Sequence, residues 1–316
     1  MNKQRSFIAA GAAATLAAAS VVRRYQRDAR AAGARVDAVD RKIVPTSVGD
    51  VEYAEAGTGE PVLVIHGILG GRDAGILSFG GLLPNRRVLA PSRFGYLGSA
   101  MPPHATPELQ ADAFVELLDR LGIDHVDAIG YSAGATSALQ LALRHPDRVR
   151  HLVLMSGNLP GPVAATPPPP ILKLLFRSDL LMWIAKVAAQ PALMHLVGGV
   201  PQDFVFTLEE RTTVATIIDS IFPVRDRTDG VVFDAYTSNP AVNDYPLEAI
   251  QVPTLIVHSS DDTLASYDAA RDAAHRIPGA RLVTHARGGH LMLGQDTATR
   301  AALECFLAAA SVGSAA

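Results

Sequence analysis

A serine between glycines, a pair of adjacent acids and a histidine after two glycines are the chemistry-bearing residues of this 316-residue chain. Ser132 is the centre of Gly130-Tyr131-Ser132-Ala133-Gly134, a G-x-S-x-G pentapeptide. A serine hydroxyl is a poor nucleophile near neutral pH. It needs an imidazole to take its proton and a carboxylate to fix that imidazole's tautomer. Of the ten histidines, His290 directly follows a Gly-Gly pair, which frees it from neighbouring strands. The acids are Asp261 and Asp262, in a turn after an apolar run. Ser132, Asp262 and His290 thus stand in the order Ser…Asp…His, which suits mounting on an α/β sheet.

Hydrolysis of an ester passes through a tetrahedral oxyanion, which preorganised backbone N–H groups stabilise. His66-Gly67-Ile68-Leu69-Gly70-Gly71 is a glycine-rich turn able to aim such donors at one point. The Ile68 amide, with the Ala133 amide just after the serine, makes the expected pair. His66, Gly67, Gly130 and Gly134 would support them.

These residues must be held by strands that stop where the motifs begin. Pro61–Ile65 is a continuous apolar run ending at His66, as a buried parallel strand does. Val126–Ile129 leads into the serine pentapeptide, and a helix follows from Ala135. Thr254–His258 precedes the two acids, and Arg281–Thr284 precedes the histidine loop. Lys42–Ser47 and Val51–Ala56 read as a hairpin turning at Gly49-Asp50. Arg87–Ala90 and Val149–Met155 complete the strands. Helices are predicted over Pro107–Leu121, Ala135–Arg144, Ser266–Arg276 and Thr297–Ala309. This alternation argues an α/β fold with a mostly parallel sheet covered on both faces.

The alternation fails between Met155 and Thr254, which reads as a helical cap inserted at about 158–250 in a single α/β domain spanning 42–310. Its Pro-rich lead, Pro167 to Pro170, would stiffen the entry. Ile171–Val187 then carries more apolar residues than one buried helix face needs. Placed over Ser132, the cap would offer a greasy pocket, with Phe176, Trp183 and Tyr131 as lining candidates.

Composition removes several classes of function. Lys plus Arg number 28 against 31 acids, a net charge of −3, so no global basic character points to nucleic acid. The single Cys305 permits neither an internal disulfide nor a Cys-pair metal site. No metal or organic cofactor is expected. Before residue 42 lies a separate segment. Ser6–Val22 is an uncharged, Ala-rich run with Lys3 and Arg5 before it and Arg23, Arg24, Arg27 and Arg30 after it. It reads as a membrane anchor, with a cleaved signal or an ordinary helix as alternatives, followed by a linker to residue 41. Residues 311–316 form a tail.

Taken together, these residues resemble the α/β-hydrolase superfamily over about Val44 to Leu307. The HGxxG-type loop of that family matches His66–Gly70, and its G-G-H loop matches Gly288-Gly289-His290. Its G-x-x-D turn aligns with Ser259-Ser260-Asp261-Asp262, which puts Asp262 at the acid position and Asp261 in reserve. The family's D-x-R-G-x-G-x-S stretch is similar to Pro91–Ser99, with Pro91 where Asp is usual. Members with an aspartate nucleophile act on halides and epoxides, and Ser132 argues against both. The resemblance implies a serine hydrolase acting through an acyl-enzyme. The expected substrates are small to medium hydrophobic carboxylic esters. Carbon–carbon bond, lactone or amide hydrolysis, cofactor-free peroxidation and a non-catalytic ligand receptor are the alternatives on the same scaffold.

Overall fold

The computed structural model describes residues 2–162, 169 and 172–308, with side chains from residue 18 onward apart from Leu172. Its centre is one eight-stranded sheet in the order β1-β2-β4-β3-β5-β6-β7-β8. The strands are β1 (Lys42–Thr46), β2 (Gly49–Ala56), β3 (Glu60–Ile65), β4 (Arg86–Pro91), β5 (Val126–Tyr131), β6 (Val149–Met155), β7 (Thr254–Ser259) and β8 (Arg281–His285). β2 pairs antiparallel with both β1 and β4, and every other pairing is parallel. The β1–β2 hairpin turns at residues 47–48 rather than at Gly49-Asp50, because Thr46 already pairs with Gly49. Gly49 takes a φ of 116°, and the Thr46 hydroxyl donates to its carbonyl at 2.5 Å.

Successive strand residues feed opposite cores, which is why the strands read as unbroken apolar runs. Leu63, Ile65, Leu152 and Leu154 pack on one face with Phe114, Leu117, Leu139 and Ala270. Those partners come from α3 (Pro107–Arg120), α4 (Gly134–Arg144) and, later in the chain, the helix Tyr267–Arg276. Val62, Val64, Val153 and Met155 pack on the other face with Phe79, Leu303 and Phe306, from α2 (Arg72–Phe79) and the last helix, Asp296–Ala308. Thr106 caps α3 by accepting from the Leu109 amide at 3.1 Å, with Pro107 fitting the first helical position. Sequence periodicity does not announce α2. Its buried residues include Arg72, Asp73 and Gly75 beside Phe79, so no apolar stripe marks it.

Between β6 and β7 the described residues form helices: α5 (Leu172–Phe176), α6 (Asp179–Ala188), α7 (Gln190–Gly198), α8 (Leu208–Ser220), α9 (Thr228–Phe233) and α10 (Asn239–Ala241), after which Tyr267–Arg276 is α11 and Asp296–Ala308 is α12. Most of the proline run, residues 163–168 and 170, and the tail from residue 309 lie outside the described residues.

The segment before β1 is continuous across the expected anchor and linker. A single helix, α1, runs from Asn2 to Ala38, and its second half packs on the β6–β7 helices. Ala32 is buried with Met182, Trp183 and Phe222. Trp183 Nε1 donates to Asp28 at 3.0 Å, and Tyr25 meets the Trp183 ring edge-on. Among the described residues no single helix is long and apolar enough to cross a membrane.

Candidate active site

All the chemistry-bearing motifs lie just beyond the C-terminal ends of parallel strands, the edge where open α/β sheets gather ligands. The serine turn is the most constrained. Ser132 follows β5 with a φ of 52°, a left-handed conformation that a residue with a side chain adopts only when its surroundings dictate it. Its amide donates to the Met155 carbonyl at 3.0 Å, and its own carbonyl accepts from Asn158 and Ala135 at 2.9 and 3.0 Å. The flanking glycines are required by crowding. A Cβ on Gly134 would lie 2.1 Å from the Ile65 carbonyl oxygen, and one on Gly130 would lie 2.7 Å from both the Ala135 Cα and the Ala138 Cβ.

His290 bridges the serine and the acid. Its Nε2 is 2.8 Å from Ser132 Oγ, and its Nδ1 is 2.8 Å from Asp262 Oδ2. The carboxylate can only accept at Nδ1 when ionised, so the N–H sits there and Nε2 is the free base facing the hydroxyl. The Asp262 side chain is fully buried. Burial pushes its carboxyl up, but the electrostatic attraction of His290 and hydrogen bonds from His258, His290 and the Ala265 amide outweigh it, holding it well below the usual carboxylate range. Oδ1 accepts from the Leu264 and Ala265 amides at 2.8 and 3.0 Å. Asp261 plays a different part: it accepts from the Gly288 and Gly289 amides at 3.2 and 2.8 Å, gripping the turn that carries His290.

The glycine-rich loop after β3 reaches the same point. A Cβ on Gly67 would lie 2.9 Å from Ser132 Cβ, so the loop backbone lies against the serine. Neither the Ile68 nor the Ala133 amide donates to another group among the described residues. His66 locks the base of the loop. Its Nδ1–H donates to the Gly67 carbonyl at 2.7 Å, and its Nε2 accepts from the Arg93 amide at 3.0 Å. Burial, and then the Arg93 charge, hold its pKa well below the ordinary imidazole value, which keeps it neutral and consistent with both bonds.

Several supporting residues escape a reading of local sequence. His258 on β7 is buried, and its Nε2 faces both Asp262 Oδ2 and the Ala265 carbonyl at 3.2 Å. Two acceptors at one nitrogen require that it carry the proton. Arg93 pairs in two-pronged fashion with Asp234, with both side chains fully buried, and the Tyr96 hydroxyl donates to the same carboxylate. That pair ties the loop after β4 to the turn after α9. At the other end, Glu210 of α8 pairs with Arg287 at 2.6 Å, and the Gly198 carbonyl accepts from the His290 amide at 2.9 Å. The β6–β7 helices therefore brace the histidine loop directly.

The expected pocket residues separate. Tyr131 lines a cleft of about 490 Å³ with Leu77, Phe79, Met155, Ile217 and Leu291. The same cleft carries Thr212, Thr213 and Thr216 of α8. Of its walls, Tyr131 and Leu291 are the chain neighbours of Ser132 and His290. The Tyr131 hydroxyl donates to the His290 carbonyl at 3.2 Å. Trp183 instead lines a cavity of about 560 Å³ against α1, with Tyr25, Asp28 and Phe222. Phe176 packs against that same cluster. Neither lines the cleft beside Tyr131, because the buried face of α6 turns toward α1 rather than toward the serine.

The chain matches the family model described as alpha/beta hydrolase fold over residues 60–297. It is 30% identical over 254 residues to a 2-hydroxymuconate semialdehyde hydrolase of Pseudomonas putida, covering 75% of this chain and 82% of that one. It is 31% identical over 199 residues to a putative carbamate hydrolase, RutD, of Caulobacter sp. (strain K31), covering 60% and 66%. Among solved structures it is similar to an alpha/beta hydrolase fold protein from Nakamurella multipartita. That match has a TM-score of 0.62 and 26% identity, and covers 85% of this chain and 99% of the other. With this fold, and with a hydrogen-bonded Ser–His–Asp chain at its strand ends, the protein belongs to the α/β-hydrolase fold family and is a hydrolase.

Proposed function

We propose that this hydrolase cleaves carboxylic esters, with Ser132 as nucleophile. The observation that carries the reading is the continuous hydrogen-bonded chain from Ser132 Oγ through His290 to the buried Asp262. Ser132 Oγ attacks the acyl carbonyl carbon while His290 Nε2 takes its proton. The resulting oxyanion sits between the Ile68 and Ala133 amides. Asp262 holds the Nδ1–H and stabilises the imidazolium. His290 then protonates the departing alcohol, leaving an ester on Ser132. Water, deprotonated by His290, hydrolyses that ester. No redox step or external group is needed for the balance.

The cleft beside Tyr131 supports small to medium hydrophobic acyl or alkyl groups. Its aliphatic and aromatic walls favour a neutral chain, and the α8 threonines offer hydroxyls for one polar end. Each methylene that enters such a wall contributes about 0.8 kcal/mol. The value of kcat/KM should therefore rise with acyl length from acetyl until the cleft fills, then fall. A steady decline from acetyl, or indifference to length, would remove the hydrophobic-cleft part of the proposal.

The 2-hydroxymuconate semialdehyde hydrolase relative favours a second reading, in which the same three residues cleave a carbon–carbon bond. Assaying that semialdehyde and a carbamate beside the ester series separates the readings. Ester turnover should exceed both by at least about tenfold in kcat/KM, a gap of about 1.4 kcal/mol in transition-state binding. The reverse ranking would select the second reading.

A further inference from the structure

Helix α6 is apolar on both faces, burying Met182 and Trp183 on one and carrying no charge on the other. Its two charged residues face inward: Asp179 accepts from the Val224 and Arg225 amides at 2.6 and 3.1 Å, and Lys186 pairs with Asp219. Its outer arc is Leu180, Leu181, Ile184 and Val187, each 38–47% exposed, followed by the exposed Ala188. α7 extends this surface with the exposed Pro191, Ala192 and Leu196. Ordinary soluble helices put charge where this one puts leucine, and contiguous apolar surface of this kind marks a docking site.

What lies beside it identifies the occupant. Tyr25 and Arg24 of α1 rest on Trp183 of α6, so the two helices meet at the edge of the apolar arc. Around that contact α1 exposes Arg23, Arg24, Arg27 and Arg30, with Asp28 the sole acid among residues 23–30. Before them come the exposed Val21 and Val22 and, in sequence, the uncharged run from Ser6. Apolar residues flanked by arginines match the two layers of an anionic bilayer: acyl chains below and negatively charged headgroups above. A protein partner would have to reproduce both layers side by side.

We infer that the α6 face and the arginine stretch of α1 form a single docking surface for an anionic lipid bilayer. In this arrangement α6 lies in the plane of the interface and α1 enters from its edge, so the β6–β7 helices, not α1 alone, sit on the membrane. The inference stands independently of which bond the hydrolase cleaves.

The test uses the full chain carrying an environment-sensitive fluorophore at Ile184→Cys, in a Cys305→Ser background, because Cys305 is exposed and is the chain's sole cysteine. Vesicles of phosphatidylcholine are compared with vesicles containing about one-third phosphatidylglycerol. The expected result is a blue shift with a several-fold rise in emission on the anionic vesicles only. Replacing Arg23, Arg27 and Arg30 by Gln should weaken vesicle affinity by about fivefold for each arginine. The pair Leu180→Glu and Ile184→Glu should keep turnover of a water-soluble ester and lose at least about tenfold in vesicle affinity. An unshifted fluorophore on chain that has bound the vesicles would overturn the inference, leaving α1 as sole anchor. Equal binding to neutral vesicles, or no binding, would overturn it as well. A concentration-dependent shift without lipid would assign the face to a second copy of the chain instead. If the double variant misfolds, the labelled chain alone decides.

Discussion

Asp261 and Asp262, adjacent in the chain, hold the same loop by different handles. Asp262 takes the His290 side chain at 2.8 Å, while Asp261 takes the backbone amides of Gly288 and Gly289 just before it. One carboxylate sets the imidazole's tautomer, and the other sets the path of the turn that delivers it.

The two acids should therefore separate in kinetics. Asp262→Asn presents the wrong partner to Nδ1 and should lower kcat by on the order of 10⁴. Asp261→Asn keeps one acceptor for the glycine amides and should cost no more than about a hundredfold. Measuring kcat for both on one ester checks this, and a larger loss at Asp261 would reverse the roles.

The depressed pKa of Asp262 also makes a statement about stability. Its ionised form is favoured in the folded chain relative to an ordinary aspartate near ~3.9. That stabilisation is complete above the ordinary value and is lost as pH falls below it toward the folded one. The thermal midpoint of the wild type should exceed that of Asp262→Asn most at neutral pH, with the gap beginning to narrow only as pH falls below about 3.9. A gap that stays constant or widens in acid would contradict the buried charge pair.

Breaking the Arg93–Asp234 pair should be costly for structure before chemistry. Asp234→Ala leaves the fully buried Arg93 without its counter-charge, a loss of about 3–5 kcal/mol. In a chain of this size that corresponds to a midpoint lowered by about 10 °C. Calorimetry of the variant checks it. A drop under about 3 °C would mean that the β4 loop and the α9 turn are held by other contacts.

Truncation should discriminate within α1. Removing residues 1–20 leaves the Tyr25, Asp28 and Ala32 contacts intact and should not move the thermal midpoint. Removing residues 1–30 strips Tyr25 and Asp28 from Trp183 and should cost about 1–3 kcal/mol. Equal midpoints for the two truncations would mean that α1 rests on the β6–β7 helices without stabilising them.

The turns that carry Ser132 and His290 are legible in the sequence because each is a short contiguous glycine-marked run. The crowding that demands Gly130 comes from Ala135 and Ala138 of the helix just after it, that at Gly134 from the Ile65 carbonyl of the neighbouring strand β3, and the Gly-Gly turn adjoins His290. The sheet was legible for the same reason, since each buried strand is a short apolar run. What braces the site was not. Asp234, Glu210 and Gly198 reach it from the β6–β7 helices, across stretches of chain that no periodicity links to Arg93, Arg287 or His290. The packing of Trp183 and Phe176 beside α1 is hidden from the sequence for a related cause. An apolar helix face says that something covers it, and here the cover is α1, far back in the sequence, rather than the serine cleft.

The central claim is that Ser132 is the nucleophile, and intact-mass measurement after treatment with a fluorophosphonate tests it most directly. The account predicts one adduct per wild-type chain, mapped to the Gly130–Gly134 peptide. Ser132→Ala should give none, with an unchanged thermal midpoint and ester turnover lowered by several powers of ten. A Ser132→Ala chain that still takes up the label, or keeps more than about a tenth of its turnover, would contradict it.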